Sequence, residues 1–378
     1  MTTRGFDQSN TAFLLNGQPI NGMDNGSVYW SNWSGLTDIA SLVQIQRGLG
    51  SSKLAISSVG GTINFVTKAT DKQQGGFIKG TVGNDGFVKG TIGYNTGLMS
   101  NGWAVSAMVS HWQGDGYMDN TSGQGQNYFV SLGYKLNEKH NFNLMITGAP
   151  QSHAQGYTST IKTYLENGIR FNGNNTTING QSLNPRLNYY HKPVANFNWD
   201  WKIDEKANLS TVVYGSVARG GGQSSRKDLN AVSFLAADVN NHQWFGIVSN
   251  YNRELNENWN FNLGFDLRDY KGTHFRQATD LLGANSITHA GNVNFSNPIE
   301  VTDTYTTNPW KAFTDYPKDS ENKLAWEYNQ KIRYGGLFGQ IEYAKNDLTA
   351  FFQGSISHQS NIREDYYQYT PGNEVSKT

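Results

Sequence analysis

Hydrophobic and polar residues alternate along most of the chain between about residue 75 and residue 358. In the clearest segment, 259–268, every second residue is apolar, and polar residues and one glycine stand between them. A period of two residues is typical of a β-strand with one apolar face, because successive side chains point to opposite faces. The pattern predicts about eleven strands: 76–83, 86–95, 102–112, 128–136, 140–148, 197–203, 206–217, 243–253, 259–268, 332–344 and 347–357.

The connections between these strands alternate in length. Short turns are predicted near 95–102, 137–139, 204–206, 256–258 and 345–347, and between them lie long connections near 113–126, 149–195, 218–242 and 271–331. Only the hairpin at Asn84 and Asp85 has a short link where the alternation would place a long one. Outer-membrane barrels have short periplasmic turns and long extracellular loops, whereas soluble sandwiches usually mix both kinds at each end. The pattern therefore favours an antiparallel transmembrane β-barrel with long extracellular loops.

The faces of the predicted strands support this interpretation. The polar faces carry mainly Asn, Ser, Gly and Thr, which suits a hydrated barrel interior. Aromatic residues gather near the strand ends and are typical of interfacial girdles, although cross-strand aromatic pairs would give the same pattern. These residues are Trp103, Trp112, Tyr128, Trp199, Trp201, Trp244, Trp259, Tyr270, Tyr334 and Tyr343.

Composition excludes several classes of protein. The 378 residues include 13% aromatic residues, which argues against disorder, and no cysteine, which excludes disulfides and Cys-based zinc sites. No stretch of about 18 apolar residues is present for a membrane-spanning helix. The formal net charge of +0 gives no electrostatic footprint for nucleic acid. The first residues lack a secretory signal, which indicates either a cytoplasmic protein or an incomplete chain.

Residues 1–70 differ from the rest of the chain. Segment 11–20 predicts two short strands joined by an Asn-Gly turn at Asn16 and Gly17. One or two helical turns are predicted at 36–42, followed by a strand at 43–48 and a Gly-rich turn leading into a strand at 60–68. The sequence thus predicts a small mixed α/β unit before the barrel strands.

Four segments of this unit, 3–6, 14–20, 43–48 and 60–68, resemble in order and spacing the second half of the plug domain of TonB-dependent outer-membrane receptors. The residues that match the plug motifs are Arg4, Gly5, Asn16, Gly17, Arg47, Gly48, Gly60, Gly61 and Asn64. Segments 24–33, 148–153 and 189–193 resemble the Bacteroidetes members in particular.

The resemblance implies a fold and a function. The fold is mainly β: a partial antiparallel transmembrane barrel at 71–378, holding the N-terminal half of the barrel strands, preceded by the C-terminal half of a small α/β plug at 1–70. Since barrels of this family have about twenty-two strands, and the family's signal peptide and TonB-contacting segment would precede residue 3, we expect an interior fragment that does not transport alone. The implied function is TonB-energised uptake of a large, scarce solute such as a siderophore or corrinoid across the bacterial cell outer membrane.

The implied partners are outer-membrane lipid, the TonB complex in the full-length protein and an extracellular ligand, with metal chelates among the candidates. Plug arginines in this family pair with carboxylates of the barrel wall. Arg4 and Arg47 are therefore expected to face Asp200, Asp266 or Glu342, the alternative being that each arginine caps a turn within the plug. Gln44 stands where the family most often has Glu, and Gln46 lies just before Arg47, so the resemblance implies an altered charge pairing here.

The loop 24–33 is the predicted ligand-binding segment. At the apex of the plug its aromatic rings and amides would stack on and hydrogen-bond a bulky polar ligand, the alternative being packing against barrel loops. The candidate residues are Asp24, Asn25, Tyr29, Trp30, Asn32 and Trp33.

No catalytic, metal or cofactor site is predicted. The histidines lack metal-ligand spacing, and no nucleophile or phosphate-binding motif is present. The alternative function from a different class is a secreted, soluble β-rich protein that binds carbohydrate through its aromatic loops.

Overall fold

The computed structural model describes residues 2–3, 5–46, 60–178, 180–370 and 372–377. Within these residues the chain forms one large β-sheet, one small β-sheet and several short two-stranded pairs. No helix in the described ranges is long and apolar enough to cross a membrane.

The small sheet lies near the N-terminus and has the strand order β4-β3-β6-β5. β3 and β6 are parallel, and the other two pairs are antiparallel. The predicted Asn-Gly turn joins β3 to β4, with Asn16 and Gly17 at φ +50° and +84°, as a two-residue hairpin requires. The elements are β1 (Thr2–Thr3), β2 (Phe6–Asp7), β3 (Thr11–Leu15), β4 (Gln18–Pro19), α1 (Leu36–Ile39), β5 (Leu42–Gln46), β6 (Gly61–Val66) and 3-10 turns at Gln8–Asn10, Trp30–Trp33 and Ala69–Asp71. The predicted boundary between the two units, at residues 70 and 71, falls in the last of these turns.

The large sheet contains thirteen of the described strands, and all of its pairs are antiparallel. β7 and β23 form its two edges. Its strands are β7 (Gly75–Val82), β8 (Val88–Asn95), β9 (Trp103–Gly114), β10 (Gly123–Lys135), β11 (His140–Gly148), β12 (Gln151–Ala154), β15 (Leu187–His191), β16 (Val194–Asp204), β17 (Ala207–Lys227), β18 (Ser233–Glu254), β19 (Trp259–Asp280), β22 (Leu324–Lys345) and β23 (Leu348–Asp365).

The remaining elements lie in the long connections or at the C-terminal end. The segment between β12 and β15 contains α2 (Ile161–Asn167), β13 (Thr176–Ile178) and β14 (Gln181–Leu183). The segment between β19 and β22 contains β20 (Ile287–His289), β21 (Ile299–Val301) and 3-10 turns at Lys311–Phe313 and Ser320–Asn322. A further 3-10 turn, Glu374–Ser376, follows β23.

Two strands of the sheet are interrupted. β11 and β12 keep one register against β10 on either side of Ala149 and Pro150, and β15 and β16 keep one register against β17 on either side of Lys192 and Pro193. A proline cannot donate to the ladder, so each break occurs where the sequence removes a hydrogen bond. Counting each interrupted pair as one strand, the described sheet has about eleven strands, as the alternation predicts.

The long connections are shorter than the sequence predicts. The prediction of a loop at 218–242 is wrong, because this segment consists mostly of the paired ends of β17 and β18, joined by a turn at 228–232. The glycines at 220–222 suggest a loop, but backbone pairing with β15 and β18 keeps them in the sheet. The other predicted loops narrow to 115–122, 155–186 and 281–323, because the flanking strands extend further.

The two faces of the large sheet differ in their contacts. On one face, residues of the large sheet, which is called the wall below, pack against the small sheet in two apolar clusters. One cluster lies around Phe13 and Leu15 and the other around Leu14. On the other face, the alternating apolar residues of β19 are exposed, including Leu263 at 50% and Leu267 at 49%. The small sheet therefore defines an inner face, and the apolar outer face has no cover from the described residues.

The predicted aromatic girdle is correct only in part. Trp103 stacks on Tyr134, and Trp259 packs against Tyr343, so these residues form cross-strand pairs on the outer face near the short turns. Four other predicted girdle residues, Trp112, Trp244, Tyr270 and Tyr334, lie on the inner face. The prediction of strand ends is wrong for Trp244, Tyr270 and Tyr334, which lie in the middle of β18, β19 and β22, because these strands extend further than the alternation predicts.

Candidate functional site

The loop after β4 is held in a defined shape by its own backbone. Gly22 N–H donates to the carbonyl of Ser27, and Gly26 N–H donates to the carbonyl of Gly22, both at 2.9 Å. The buried Asn21 fastens this turn to β3, because its amide donates to the carbonyls of Gly26 and Thr11 and accepts from Phe13 N–H. The 3-10 turn Trp30–Trp33 follows, so the loop presents its side chains from a fixed base.

A cavity of about 380 Å³ separates this loop from the inner face of the large sheet. The loop side of the cavity includes Asp24, Tyr29, Asn32 and Trp33. The wall side contributes residues from β15, β17, β18 and β19 and from the break after β15, among them Asn188, Tyr190, Lys192, Asp238, Asn240, His242, Trp244, Tyr270 and His274. The volume is within the range of small-molecule sites, and aromatic rings and amides dominate the lining.

Lys192 is the most unusual residue of the wall side. Its side chain is buried, with Nζ 3.9 Å from the ring centroid of Trp244 and 5.4 Å from that of Trp33. It lies at the break between β15 and β16 and forms no hydrogen bond or salt bridge with any described residue. Two indole rings thus contact a cation whose hydrogen-bonding capacity is unused.

Other polar atoms of the wall are also buried without a partner among the described residues. Those that belong to cavity-lining residues of the wall are Nε2 of His242, Nε2 of His274 and Nε1 of Trp244. The opposite ring nitrogen of each histidine is engaged, since His242 Nδ1 lies 3.3 Å from the Tyr190 hydroxyl and His274 Nδ1 lies 2.9 Å from Asn240 Oδ1. Buried polar groups normally find hydrogen bonds, so these atoms are available to a bound molecule.

Comparisons with solved structures identify the architecture. The unliganded ferric citrate transporter FecA superposes with a TM-score of 0.65 at 12% identity, over 94% of this chain and 48% of that chain. The chain has the plug-and-barrel fold of the TonB-dependent outer-membrane receptors. The small sheet corresponds to the plug and the large sheet to barrel wall.

Two further structures agree. The copper transporter OprC matches with a TM-score of 0.63 at 12% identity, over 97% of this chain and 49% of that chain. The ferripyoverdine receptor of Pseudomonas aeruginosa matches with a TM-score of 0.59 at 14% identity, over 96% of this chain and 47% of that chain. The chain spans about half the length of these structures. No protein-family model matches the sequence, and no curated protein matches it.

Four of the six predicted ligand residues line the cavity: Asp24, Tyr29, Asn32 and Trp33. The other two do not. Asn25 donates from its amide to the Tyr29 hydroxyl at 2.9 Å and accepts from Ser27 N–H. Trp30 packs edge-on against Phe13, with ring centroids 5.0 Å apart. Asn25 and Trp30 therefore shape the loop from behind, whereas the other four face the open space.

The plug-motif residues lie away from the cavity, where the plug meets the wall. Asn16 exchanges two hydrogen bonds with Thr67, and its carbonyl accepts from the Asn198 side chain at 2.8 Å. Gly17 N–H donates to Asn64 Oδ1 at 3.1 Å. A Cβ on Gly17 would lie 3.3 Å from Val212, so the turn is pressed against the wall.

The remaining motif glycines have steric or conformational roles. Gly5 and Gly61 adopt φ of +82° and +109°, and a Cβ on Gly60 would lie 2.5 Å from Thr11 Oγ1. Asn64 also donates to Gln44 Oε1 at 2.9 Å, which gives Gln44 a neutral partner within the plug. Gln46 is exposed at the end of β5.

Among the described residues, the ion pairs between plug and wall use lysines. Lys68 pairs with Asp200, and Asp38 pairs with Lys89 of β8. Asp266 pairs with Arg268 of its own strand, two residues away. Glu342 borders a separate cavity near the short turns. The predicted Arg4, Arg47 and Gly48 lie outside the described residues.

The wall half of the site was not predicted as a ligand site. The sequence pattern predicts a girdle position for Trp244 and Tyr270, and segment 189–193 carries only a family resemblance. The alternation does indicate that Trp244 faces inward, because it lies four positions before the inward-facing Val248 in β18 and therefore points to the same face. No group of three or more metal-ligating side chains occurs among the described residues.

Proposed function

We propose that this chain belongs to an outer-membrane receptor that binds a bulky solute in the cavity between plug loop 22–33 and the barrel wall, for TonB-energised uptake. Residues 1–70 would be the plug and 71–378 barrel wall, in the outer membrane of a bacterial cell. The observation that carries the proposal is the cavity, in which four aromatic or polar plug residues face Tyr190, Lys192 and Trp244 across open space.

The outer face supports a membrane location. Apolar side chains on this face are exposed in strand after strand, for example Val109 at 56%, Phe245 at 57% and Leu337 at 57%. Exposing such a band of apolar side chains to water is energetically unfavourable, whereas a transmembrane barrel requires one where it faces lipid. The same band argues against the alternative of a soluble carbohydrate-binding protein, because nothing among the described residues covers it.

We further propose that the solute is a metal chelate of the siderophore or corrinoid class. The structural neighbours include a ferric citrate transporter and a receptor bound to ferripyoverdine. The cavity offers rings and amides rather than a cluster of metal ligands, so it suits the organic shell of a chelate. Ferric citrate and ferripyoverdine are therefore suitable first probes.

Tyr29 allows a direct test with a matched control. Its ring is 59% exposed and lines the cavity, whereas Tyr157 is 54% exposed and does not line it. We expect ferric citrate or ferripyoverdine, titrated into the detergent-purified protein, to quench tryptophan fluorescence on binding, since Trp33 and Trp244 line the cavity. Tyr29→Ala should weaken binding by about tenfold, because it removes a central aromatic contact, and Tyr157→Ala should leave it unchanged.

Equal effects of the two substitutions would exclude the cavity as the binding site. A failure of both probes to quench the fluorescence would exclude these chelates as solutes. The membrane location is tested separately, since a protein that stays monomeric in buffer without detergent would contradict it.

A further inference from the structure

A groove of about 530 Å³ lies on the outer face of the barrel wall, on the opposite side of the sheet from the ligand cavity, and Trp244 borders both. Its floor is formed by Ala195 of β16 and Gly215 of β17, which are direct cross-strand partners. Larger apolar side chains flank this pair in the same row, Ile146 on one side and Phe245 on the other. Two small residues between two large ones thus create a channel in the apolar surface.

The floor of the groove is open space. A Cβ placed on Gly215 would meet only the backbone carbonyl of Trp244, at 3.8 Å. Pro193 and Val217 close the groove towards the long loops. Because the surrounding band is apolar and exposed, the groove has the shape and polarity to hold an acyl chain.

Positive charge is concentrated at one end of the groove. Lys271 of β19 lines the groove, and its direct cross-strand partner on β22 is Lys331. Neither lysine forms a salt bridge or hydrogen bond with any described residue. Like charges directly opposite each other destabilise a sheet, so this arrangement calls for an anion between them.

The neighbouring groups do not supply that anion. Asp269, which also lines the groove, is paired with Arg333 at 3.2 Å. The direct cross-strand neighbours of the lysines are otherwise Gln243 on β18 and Ile362 on β23, and neither is charged. Glu364, the next residue on the same face of β23, pairs with Lys377 and accepts from the Tyr366 hydroxyl. The end of the groove therefore carries two unneutralised cations beside one satisfied ion pair.

We propose that this groove binds a phosphorylated membrane lipid, with an acyl chain over Ala195 and Gly215 and the phosphate between Lys271 and Lys331. A phosphate supplies the missing negative charge and several acceptor oxygens, and the apolar channel begins beside Lys271. The lysine pair and the apolar channel together disfavour two other ligands. A neutral lipid would not neutralise the repulsion between the lysines, and a soluble anion would not fill the channel. The inference rests on the membrane location proposed above, but not on the identity of the transported solute.

Three probes separate the two contributions: phosphatidic acid, diacylglycerol with the same acyl chains, and inorganic phosphate. Native mass spectrometry of the protein in detergent, with each probe titrated, gives the number of bound molecules and their affinity. We expect phosphatidic acid to bind more tightly than diacylglycerol, and inorganic phosphate not to displace it. Comparable binding of diacylglycerol, or displacement by inorganic phosphate at similar concentrations, would overturn the proposal.

Substitutions locate the site. Replacing both Lys271 and Lys331 with Gln should weaken phosphatidic acid binding by about tenfold, since each lysine near an anionic lipid contributes a severalfold gain. Replacing Lys206 and Lys345 with Gln, two exposed lysines at the opposite end of the strands, serves as the charge control. Equal effects of the two double variants would show non-specific attraction and contradict the site.

A second variant tests the groove itself. Gly215→Ile puts a side chain over the floor of the groove, where an added Cβ meets only the Trp244 carbonyl at 3.8 Å, whereas an added Cβ at Gly354, elsewhere on the outer face, meets nothing within 4 Å and makes Gly354→Ile the control. Only the first should weaken phosphatidic acid binding, and unchanged affinity in Gly215→Ile would exclude the groove. Because the Tyr29→Ala titration reports only on the cavity, failure of either proposal is visible independently of the other.

Discussion

The plug meets the barrel wall in two contrasting ways. At the docking side, around the turn of Asn16 and Gly17, the amides of Asn196 and Asn198 donate to the plug, although Oδ1 of both wall residues has no partner among the described residues. At the cavity side, around loop 22–33, the wall leaves Lys192 and Trp244 with unused hydrogen-bonding capacity. The first arrangement holds two parts of the protein together, and the second is suited to holding something else.

The contrast predicts opposite energetic responses. Removing a polar group from the docking side leaves a buried partner unsatisfied, and that penalty is larger than the hydrogen bond's own net contribution. Removing the Lys192 amine or the Trp244 indole N–H from the cavity side leaves no partner behind among the described residues. Stability measurements therefore distinguish docking residues from ligand-binding residues before any ligand is known.

Asn16→Ala should have the largest effect on stability. The substitution removes both bonds to Thr67, leaving the buried Thr67 N–H without its acceptor, and places alanine at φ +50°. Together these effects should destabilise the plug by about 3 kcal/mol. Hydrogen exchange of the β3 amides, followed by mass spectrometry, measures the loss of protection.

Asn25→Ala is the control for that measurement. Asn25 is exposed on the cavity loop, so its loss should change stability by less than about 0.5 kcal/mol. If Asn25→Ala lowered the protection of β3 as much as Asn16→Ala, the docking side would have no special role.

Lys192→Met should have a much smaller effect on stability. Methionine keeps the length of the side chain and its contact with the Trp33 and Trp244 rings, while removing a buried charge that has no hydrogen-bond partner. The lost cation–π attraction and the relieved desolvation oppose each other, so we expect a change within about 1 kcal/mol. Thermal unfolding followed by circular dichroism checks this.

Asn198→Leu provides the matched comparison on the same stretch of wall. It removes the donor to the Asn16 carbonyl and should cost about 2 kcal/mol. A loss of stability in Lys192→Met as large as that in Asn198→Leu would mean that Lys192 is a structural residue, contrary to the comparison.

Sequence patterns predicted the parts of this architecture that depend on local order. The alternation in 259–268 identifies a strand and its apolar face without knowledge of its neighbours, and an Asn-Gly pair specifies a tight turn by itself. The extension of β17 through Gly220 could not be predicted in this way. Glycine has no strand signal of its own there, and pairing with β15 and β18 decides the outcome.

The two halves of the candidate site differ in the same respect. The plug loop is one continuous segment rich in rings and amides, so its chemistry is visible in the sequence. The wall half is assembled from separate strands, and the partnership of Lys192 with Trp33 joins distant parts of the chain. Likewise, Lys68 and Asp200 are 132 positions apart in the sequence, so their ion pair could not be predicted from the arginines of the family motif.

The half-buried Lys72 allows the comparison to be sharpened by pH. It follows the 3-10 turn Ala69–Asp71 in the link to β7, donates to Ser106 Oγ at 3.2 Å and lies 4.8 Å from the Phe129 ring centroid. Burial lowers the pKa of Lys72 from 10.5 to about 8. Unlike Lys192, it has a hydrogen-bond partner, so its titration reports on the docking side.

The sign of the effect follows from the direction of this pKa shift. Below pH 8 the amine is charged in both folded and unfolded protein, and the folded state bears the full cost of burying that charge. Between pH 8 and 10.5 the folded protein loses the proton while the unfolded chain keeps it, so this lysine favours folding more as pH rises. The difference in unfolding free energy between the wild type and Lys72→Gln should therefore shift in favour of the wild type between pH 7 and pH 9.5.

The exposed Lys79 on β7 supplies the control, since Lys79→Gln removes a lysine without changing the buried contact with Ser106. The same pH dependence in both variants would mean that the docking side does not bury Lys72, and a difference confined to Lys72→Gln would place a desolvated cation where plug and wall meet.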